Sequence, residues 1–201
     1  MTNILHVNAS VNGENSNSRQ IASKLIERIV AADPSATVVE RDANDKAISA
    51  LTGETVGAFY TPEGSRSEVQ KEVISVSDKM VAEVQAADIV IIGAPMYNFS
   101  VPSTLKAWVD LIARVGVTFK YTDKGAVGLM TGKKAYVVVA TGGTPVNSPA
   151  DFATPYLKQV LGFIGISDVE IIDASGFAVN AEEAMVRAIA NVEAVALPSV
   201  A

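Results

Sequence analysis

Five short stretches of this chain are apolar at mostly consecutive positions rather than alternate ones, and no other feature limits the fold so tightly. They are residues 4–8, 37–40, 89–93, 135–140 and 169–172, all rich in β-branched side chains. A strand with one face in water alternates apolar and polar residues, whereas an unbroken apolar strand needs cover on both faces, as in a parallel sheet. Between these stretches apolar residues recur at helical spacing, as in Ile21, Leu25 and Ile29, then Val69, Val73, Val76 and Met80, then Leu105, Trp108, Val109 and Ile112. Residues 156–164 and 181–196 continue the alternation. Strand and helix in turn predict an open, doubly wound α/β fold: a five-stranded parallel sheet of order 2-1-3-4-5 with helices on both faces.

Two helix starts stand out. Asn17 followed by Gln20 reads as a capping box, and Thr154-Pro155 places proline at a first helical position. No repeat or linker divides the chain, so residues 1–201 are expected to form one domain. The segments 42–67 and 115–134 read as long irregular loops carrying several glycines. Loops of that length usually serve function, here as a lid or a subunit contact.

Composition removes whole classes of activity. Twenty-two acidic against sixteen basic residues give a net charge of −6, and no basic stripe exists, which argues against nucleic acid as a partner. The absence of cysteine excludes disulfides, Fe–S clusters, thiolate zinc and cysteine nucleophiles. His6 is the one histidine and falls in the first strand, so it reads as a core residue, and no metal site is expected. A Ser-His-Asp hydrolase lacks its base, and no G-x-S-x-G elbow exists. No tyrosine is followed four residues later by lysine, which excludes the Tyr-x-x-x-Lys pair of short-chain dehydrogenases. The N-terminus has no basic region leading into an apolar segment, and no apolar run approaches the ~20 residues of a membrane helix. A cytoplasmic protein without membrane attachment is the expectation.

In such a sheet, ligands bind beyond the carboxyl ends of the strands near the switch point. After the first strand comes a loop of hydroxyls and amides, with Ser10, Ser16 and Ser18 opening a helix. It contains neither G-x-G-x-x-G nor a Walker A sequence. Such a loop suits a single phosphate monoester at a helix N-terminus, and equally suits simple capping. After the third strand, Pro95 and Pro102 bracket Tyr97, Asn98 and Phe99, a turn fit for a flat heterocycle or for sealing the sheet edge. After the fourth, Thr141, Gly142, Gly143 and Thr144 allow close backbone approach or simply a turn. Three such loops at neighbouring strand ends favour a mononucleotide such as FMN. A regulatory nucleotide-binding module, which would carry no flavin, is a competing reading.

The motifs Ala94-Pro95-Met96-Tyr97-Asn98-Phe99, residues 116–122, residues 128–135, and Thr154-Pro155-Tyr156-Leu157 followed by residues 161–166 resemble the bacterial FMN-dependent NADH-azoreductases, also described as FMN-dependent NADH:quinone oxidoreductases, of the flavodoxin-like superfamily. The resemblance spans essentially the whole chain. It implies that Ser10, Ser16, Asn17 and Ser18 hold the FMN phosphate. It further implies that Met96, Tyr97, Asn98 and Phe99 with Ala140, Thr141, Gly142 and Gly143 line the ribityl chain and isoalloxazine. Family members often carry a serine and a more polar residue where this chain has Ala140-Thr141. Phe59 and Tyr60, in a variable loop, and Phe119, Tyr121 and Phe163 would shape the substrate pocket, completed by the partner in a homodimer. NADH would reduce FMN, which would reduce quinones or azo compounds by ping-pong turnover, with no catalytic side chain required because the flavin performs the chemistry. The alternative is an FMN electron carrier without small-molecule turnover.

Overall fold

The computed structural model describes residues 1–197. Its elements are β1 (Asn3–Asn8), α1 (Asn17–Ala32), β2 (Thr37–Asp42), α2 (Gly53–Tyr60), α3 (Glu68–Ala86), β3 (Ile89–Pro95), α4 (Ser103–Ile112), β4 (Phe119–Thr122), β5 (Gly125–Gly128), β6 (Lys134–Ala140), α5 (Ala153–Ile164), β7 (Asp168–Ala174) and α6 (Ala181–Ala194). The five apolar runs are the strands of one parallel sheet, ordered β2-β1-β3-β6-β7. With the hairpin strands β4 and β5 set aside, this is the expected 2-1-3-4-5 order. The central β3 is buried at every position, while the edge strand β2 is exposed except at Arg41.

Alternate side chains of β1, β3 and β6 feed two cores. Leu5, Val7, Val90, Ile92, Val137 and Val139 pack with Met80, Trp108 and Leu157 of α3, α4 and α5. Ile4, Ile91, Tyr136 and Val138 face the opposite way, against Ile21 and Leu25 of α1 and Val192 of α6. Each such fully buried aliphatic side chain contributes about 1.5–3 kcal/mol relative to exposure, so consecutive apolar positions stabilise both layers at once. Met130 joins the first core and Met185 packs against the second, as packing residues should. His6 is buried, with its ring Nδ1 2.8 Å from Glu40 Oε1. Among the described residues no helix is long and apolar enough to cross a membrane.

Four local readings change. Ser16, not Asn17, caps α1, its Oγ accepting the Arg19 N–H at 3.3 Å, while the Gln20 side chain donates to the Glu14 carbonyl. Helix α5 begins at Ala153, which puts Pro155 at its third residue; the first-turn amides have no intrahelical partner, so a missing N–H costs nothing there either. The segment 42–67 contains α2, closed by a reciprocal capping box between Thr52 and Thr55. The segment 115–134 contains the antiparallel β4–β5 hairpin.

That hairpin docks on the end of α5 by bare backbone. A Cβ on Gly128 would lie 2.1 Å from the Gly165 nitrogen and 2.3 Å from the Ile164 carbonyl carbon, and the Met130 N–H donates to the Ile164 carbonyl at 2.8 Å. Only glycine fits at Gly128.

Candidate active site

The loops after β1, β3 and β6 meet at the carboxyl end of the sheet and enclose a cleft of about 180 Å³. Ser10, Asn12, Ser16, Asn17 and Ser18 form one wall; Pro95, Met96 and Tyr97 a second; Ala140, Thr141, Gly142 and Phe177 a third. A broader cleft of about 680 Å³ begins at Tyr97 and runs past Asn98, Ser100, Pro102 and Lys106 to Tyr156. The Tyr156 hydroxyl is buried without a partner among the described residues, and burial, reinforced by Asp110, pushes it up to about 12.

The first wall is built for an anion. Ser10, Ser16 and Ser18 are each no more than 2% exposed, so their hydroxyls face inward. Ser16 Oγ and Ser18 Oγ lie 3.1 Å apart, and Ser10 Oγ accepts the Asn12 N–H at 3.2 Å, which frees its own proton. The Asn17 and Ser18 backbone N–H groups, at the positive end of α1, have no acceptor among the described residues. A Cβ on Gly93 would meet the Ser18 carbonyl oxygen of α1 in ordinary contact at 3.5 Å but would crowd the Asn8 side chain, with Oδ1 3.2 Å away. The cleft lining contains no Asp, Glu, Lys, Arg or His.

The second wall is a strained turn. Tyr97 N–H donates to the Ser100 carbonyl at 3.0 Å and Ser100 N–H returns the bond at 3.2 Å, so Asn98 and Phe99 form a two-residue turn. Both have left-handed backbones, with φ of 50° and 70°. A phenylalanine there costs about 1–2 kcal/mol and persists only when its surroundings impose it. The Tyr97 hydroxyl lies 3.4 Å from Ser10 Oγ and accepts a long bond from the Val11 N–H, linking the first two walls. Phe99 points outward, 56% exposed.

In the third wall the Thr141 carbonyl accepts from both Gly176 and Phe177, and Ala178 N–H donates to the Gly142 carbonyl. Phe177 thereby reaches the cleft although it belongs to the segment after β7. Gly143 is exposed and has open space around its Cα.

The structure thus brings Ser10, Ser16, Asn17, Ser18, Met96, Tyr97, Ala140, Thr141 and Gly142 together, with Asn98 at the adjoining cleft; Phe99 and Gly143 line neither cleft and are exposed. The five aromatic residues tied to the substrate pocket do not line either cleft within one chain. Phe119 is only 8% exposed, packed on Phe163 at a ring distance of 4.4 Å, while Tyr121 stands edge-on to it and is 70% exposed. Phe59 lies under the Arg114 guanidinium at 5.4 Å, and Tyr60 is exposed.

Asn12 and Phe177 were not legible, the latter because it is remote in sequence and carries no motif. Asp151 was missed too. Its carboxylate is buried and accepts the N–H groups of Asn147, Ala153 and Thr154 at 2.8, 3.0 and 2.9 Å. Burial acts to raise its pKa, but the hydrogen bonds from Thr154, Asn147 and Ala153 prevail and hold it below the ordinary carboxylate value.

Residues 2–196 match the family model described as the flavodoxin-like fold. The FMN-dependent NADH:quinone oxidoreductase 1 of Hahella chejuensis is 52% identical over 182 residues, covering 90% of this chain and 89% of that protein. An FMN-dependent NADH:quinone oxidoreductase of Cereibacter sphaeroides is 44% identical over 196 residues, covering 98% of this chain and all of its own. Among solved structures, the FMN-dependent NADH-azoreductase of Bacillus anthracis str. Ames Ancestor, in complex with FMN, superposes with a TM-score of 0.86 at 26% identity, covering 96% of both chains. The azoreductase of the Sterne strain gives a TM-score of 0.86 at 28% identity, again covering 96% of each. By sequence over most of its length and by fold, the chain belongs to the FMN-dependent NADH:quinone oxidoreductase family of flavodoxin-like proteins.

Proposed function

We propose that the protein binds FMN and uses it to pass electrons from NADH to quinones and aromatic azo compounds. The observation that carries this reading is the uncharged pocket of three buried serines and free helix amides, set in the same cleft as an aromatic turn. These residues fit a ligand with a terminal monophosphate and a flat ring. Ser10, Ser16, Ser18 and the amides of Asn17 and Ser18 would hold the phosphate. Met96 to Phe99 and Ala140 to Gly143 would hold the ribityl chain and ring. When bound, FMN supplies two-electron chemistry, so that NADH and a proton convert a quinone to its hydroquinone with release of NAD⁺. The protein contributes orientation and exclusion of water; the narrow cleft offers no histidine, carboxylate or lysine as a proton donor, and Lys106 lines the adjoining one.

Two further features belong to this reading. The chain has no separate dinucleotide fingerprint in which NADH could wait beside an acceptor, so the two take turns and double-reciprocal plots should be parallel. A homodimer would let the hairpin aromatic that its own chain leaves uncovered, Tyr121, reach the partner's cleft. A cytoplasmic location goes with NADH as reductant. The test is the visible spectrum of the purified protein, mass analysis of what heat releases, and NADH oxidation with a quinone. Released FMN with sustained turnover is the expected result. FAD, or no flavin, overturns the proposal, and FMN without turnover makes the protein an electron carrier.

A further inference from the structure

We propose that Asp151 is a positioning residue for flat aromatic acceptors: its carboxylate fixes the backbone of Phe152, whose N–H locks the strained turn at Asn98 and Phe99 and holds two outward aromatic rings beside the cleft. This rests on the reading of the cleft as a flavin and acceptor site.

Three observations carry it. Asp151 is 4% exposed and gathers backbone amides: Oδ2 takes the Asn147 N–H, and Oδ1 takes those of Ala153 and Thr154. Three donors converging on one side chain suit a carboxylate, which only accepts, whereas an amide would turn its NH₂ toward one of them. The bonded residues lie on both sides of Phe152, and Asn147 is itself held with a left-handed φ of 62°. Finally, the Phe152 N–H does not go to Asp151 but crosses to the Phe99 carbonyl at 3.0 Å. Phe99 is the residue with φ of 70°, and its ring is 56% exposed; the Phe152 ring is 61% exposed. One hydrogen bond therefore joins the loop after β6 to the turn after β3, and Asp151 supplies the rigidity behind it. A platform of two aromatic rings recognises a flat π-system by stacking.

The experiment has one arm on apoprotein and one on FMN-loaded enzyme, using Asp151→Ala and the milder Asp151→Asn. In apoprotein, amide hydrogen exchange at Phe152 should quicken by about tenfold or more in Asp151→Ala, although that amide touches Phe99 and not Asp151. In loaded enzyme, KM for an aromatic quinone should rise by about fivefold or more, while FMN affinity and turnover with ferricyanide, which has no ring to stack, move less than about twofold. Undiminished protection of Phe152 in a folded variant overturns the proposal, as does a parallel loss with quinone and ferricyanide, which marks a merely structural carboxylate. If Asp151→Ala does not fold, Asp151→Asn decides both arms. Failure of wild-type protein to bind FMN sinks the functional reading instead, and the exchange arm then still decides whether Asp151 locks the turn.

Discussion

The loop between β1 and α1 and the β4–β5 hairpin both stand at the edge of the proposed chemistry, but they are built on opposite plans. In the loop, side chains do the work: three buried hydroxyls line the cleft beside two amides without an acceptor among the described residues. In the hairpin, side chains are excluded from the docking surface, where Gly128 lies against Gly165 and Ile164. Its outer face is left to an exposed tyrosine. On the proposed reading the first region recognises a ligand, whereas the second places a surface.

Substitutions should separate the two plans. The largest effect is expected for Gly128→Ala, whose Cβ meets immovable backbone; a loss of about 3 kcal/mol follows from overpacking, or a Tm lower by about 10 °C. A melting temperature within 2 °C or so of wild type would show that the hairpin has other ways to dock. The double change Ser16→Ala and Ser18→Ala should lower Tm of the apoprotein by only about 2–4 °C, the cost of the lost α1 cap, but weaken FMN binding by about 1–3 kcal/mol, read by titration. Equal affinity would reduce the loop to a helix cap. Tyr121→Ala should cost about 1 kcal/mol or less in apoprotein stability while shifting sedimentation toward monomer and lowering quinone turnover. A wild-type protein that is monomeric at micromolar concentration breaks this half of the contrast.

The smallest effect lies far from both regions. Hydroxyl hydrogen bonds from Ser35 and Thr2, then their backbone amides, outweigh the opposing effect of burial and hold Asp33 at about 2, below its ordinary 3.8. Its folded pKa is depressed, so its stabilisation is complete above about pH 4 and is lost as pH falls toward 2. Asp33→Asn should remove that part of the acid slope, measured by urea unfolding at several pH values. A slope identical to wild type would show that other carboxylates set it.

The sheet was legible because burial on both faces forces consecutive apolar residues, and Ile89 to Ile92 or Val137 to Val139 can answer no other demand. Helix α2 was hidden: Gly53 and Gly57 lower its intrinsic propensity, and its capping partner at the third position is Thr55 rather than Glu or Gln. The hairpin was hidden because its strands have four residues each and are mostly exposed. Within the site, Ser10, Ser16 and Ser18 could be found because a helix start concentrates its unsatisfied amides in one sequence window. Phe177 and Asp151 could not, since each acts through backbone geometry that appears only when distant loops meet.

The cleft lining carries no formal charge, in a chain whose net charge is −6. A site made from lysine or arginine would attract a phosphate through charges that salt screens over about 8–10 Å. In the proposed site the attraction would come from hydroxyls and helix amides at contact distance, which mobile ions cannot enter. For FMN this means retention through high-salt chromatography and dialysis. With no carboxylate, histidine, lysine or arginine in that lining, the phosphate's own second ionisation, near 6, would set how grip varies with acidity. On the proposed reading, a negatively charged protein would keep a doubly negative cofactor with no cation in the lining of the narrow cleft.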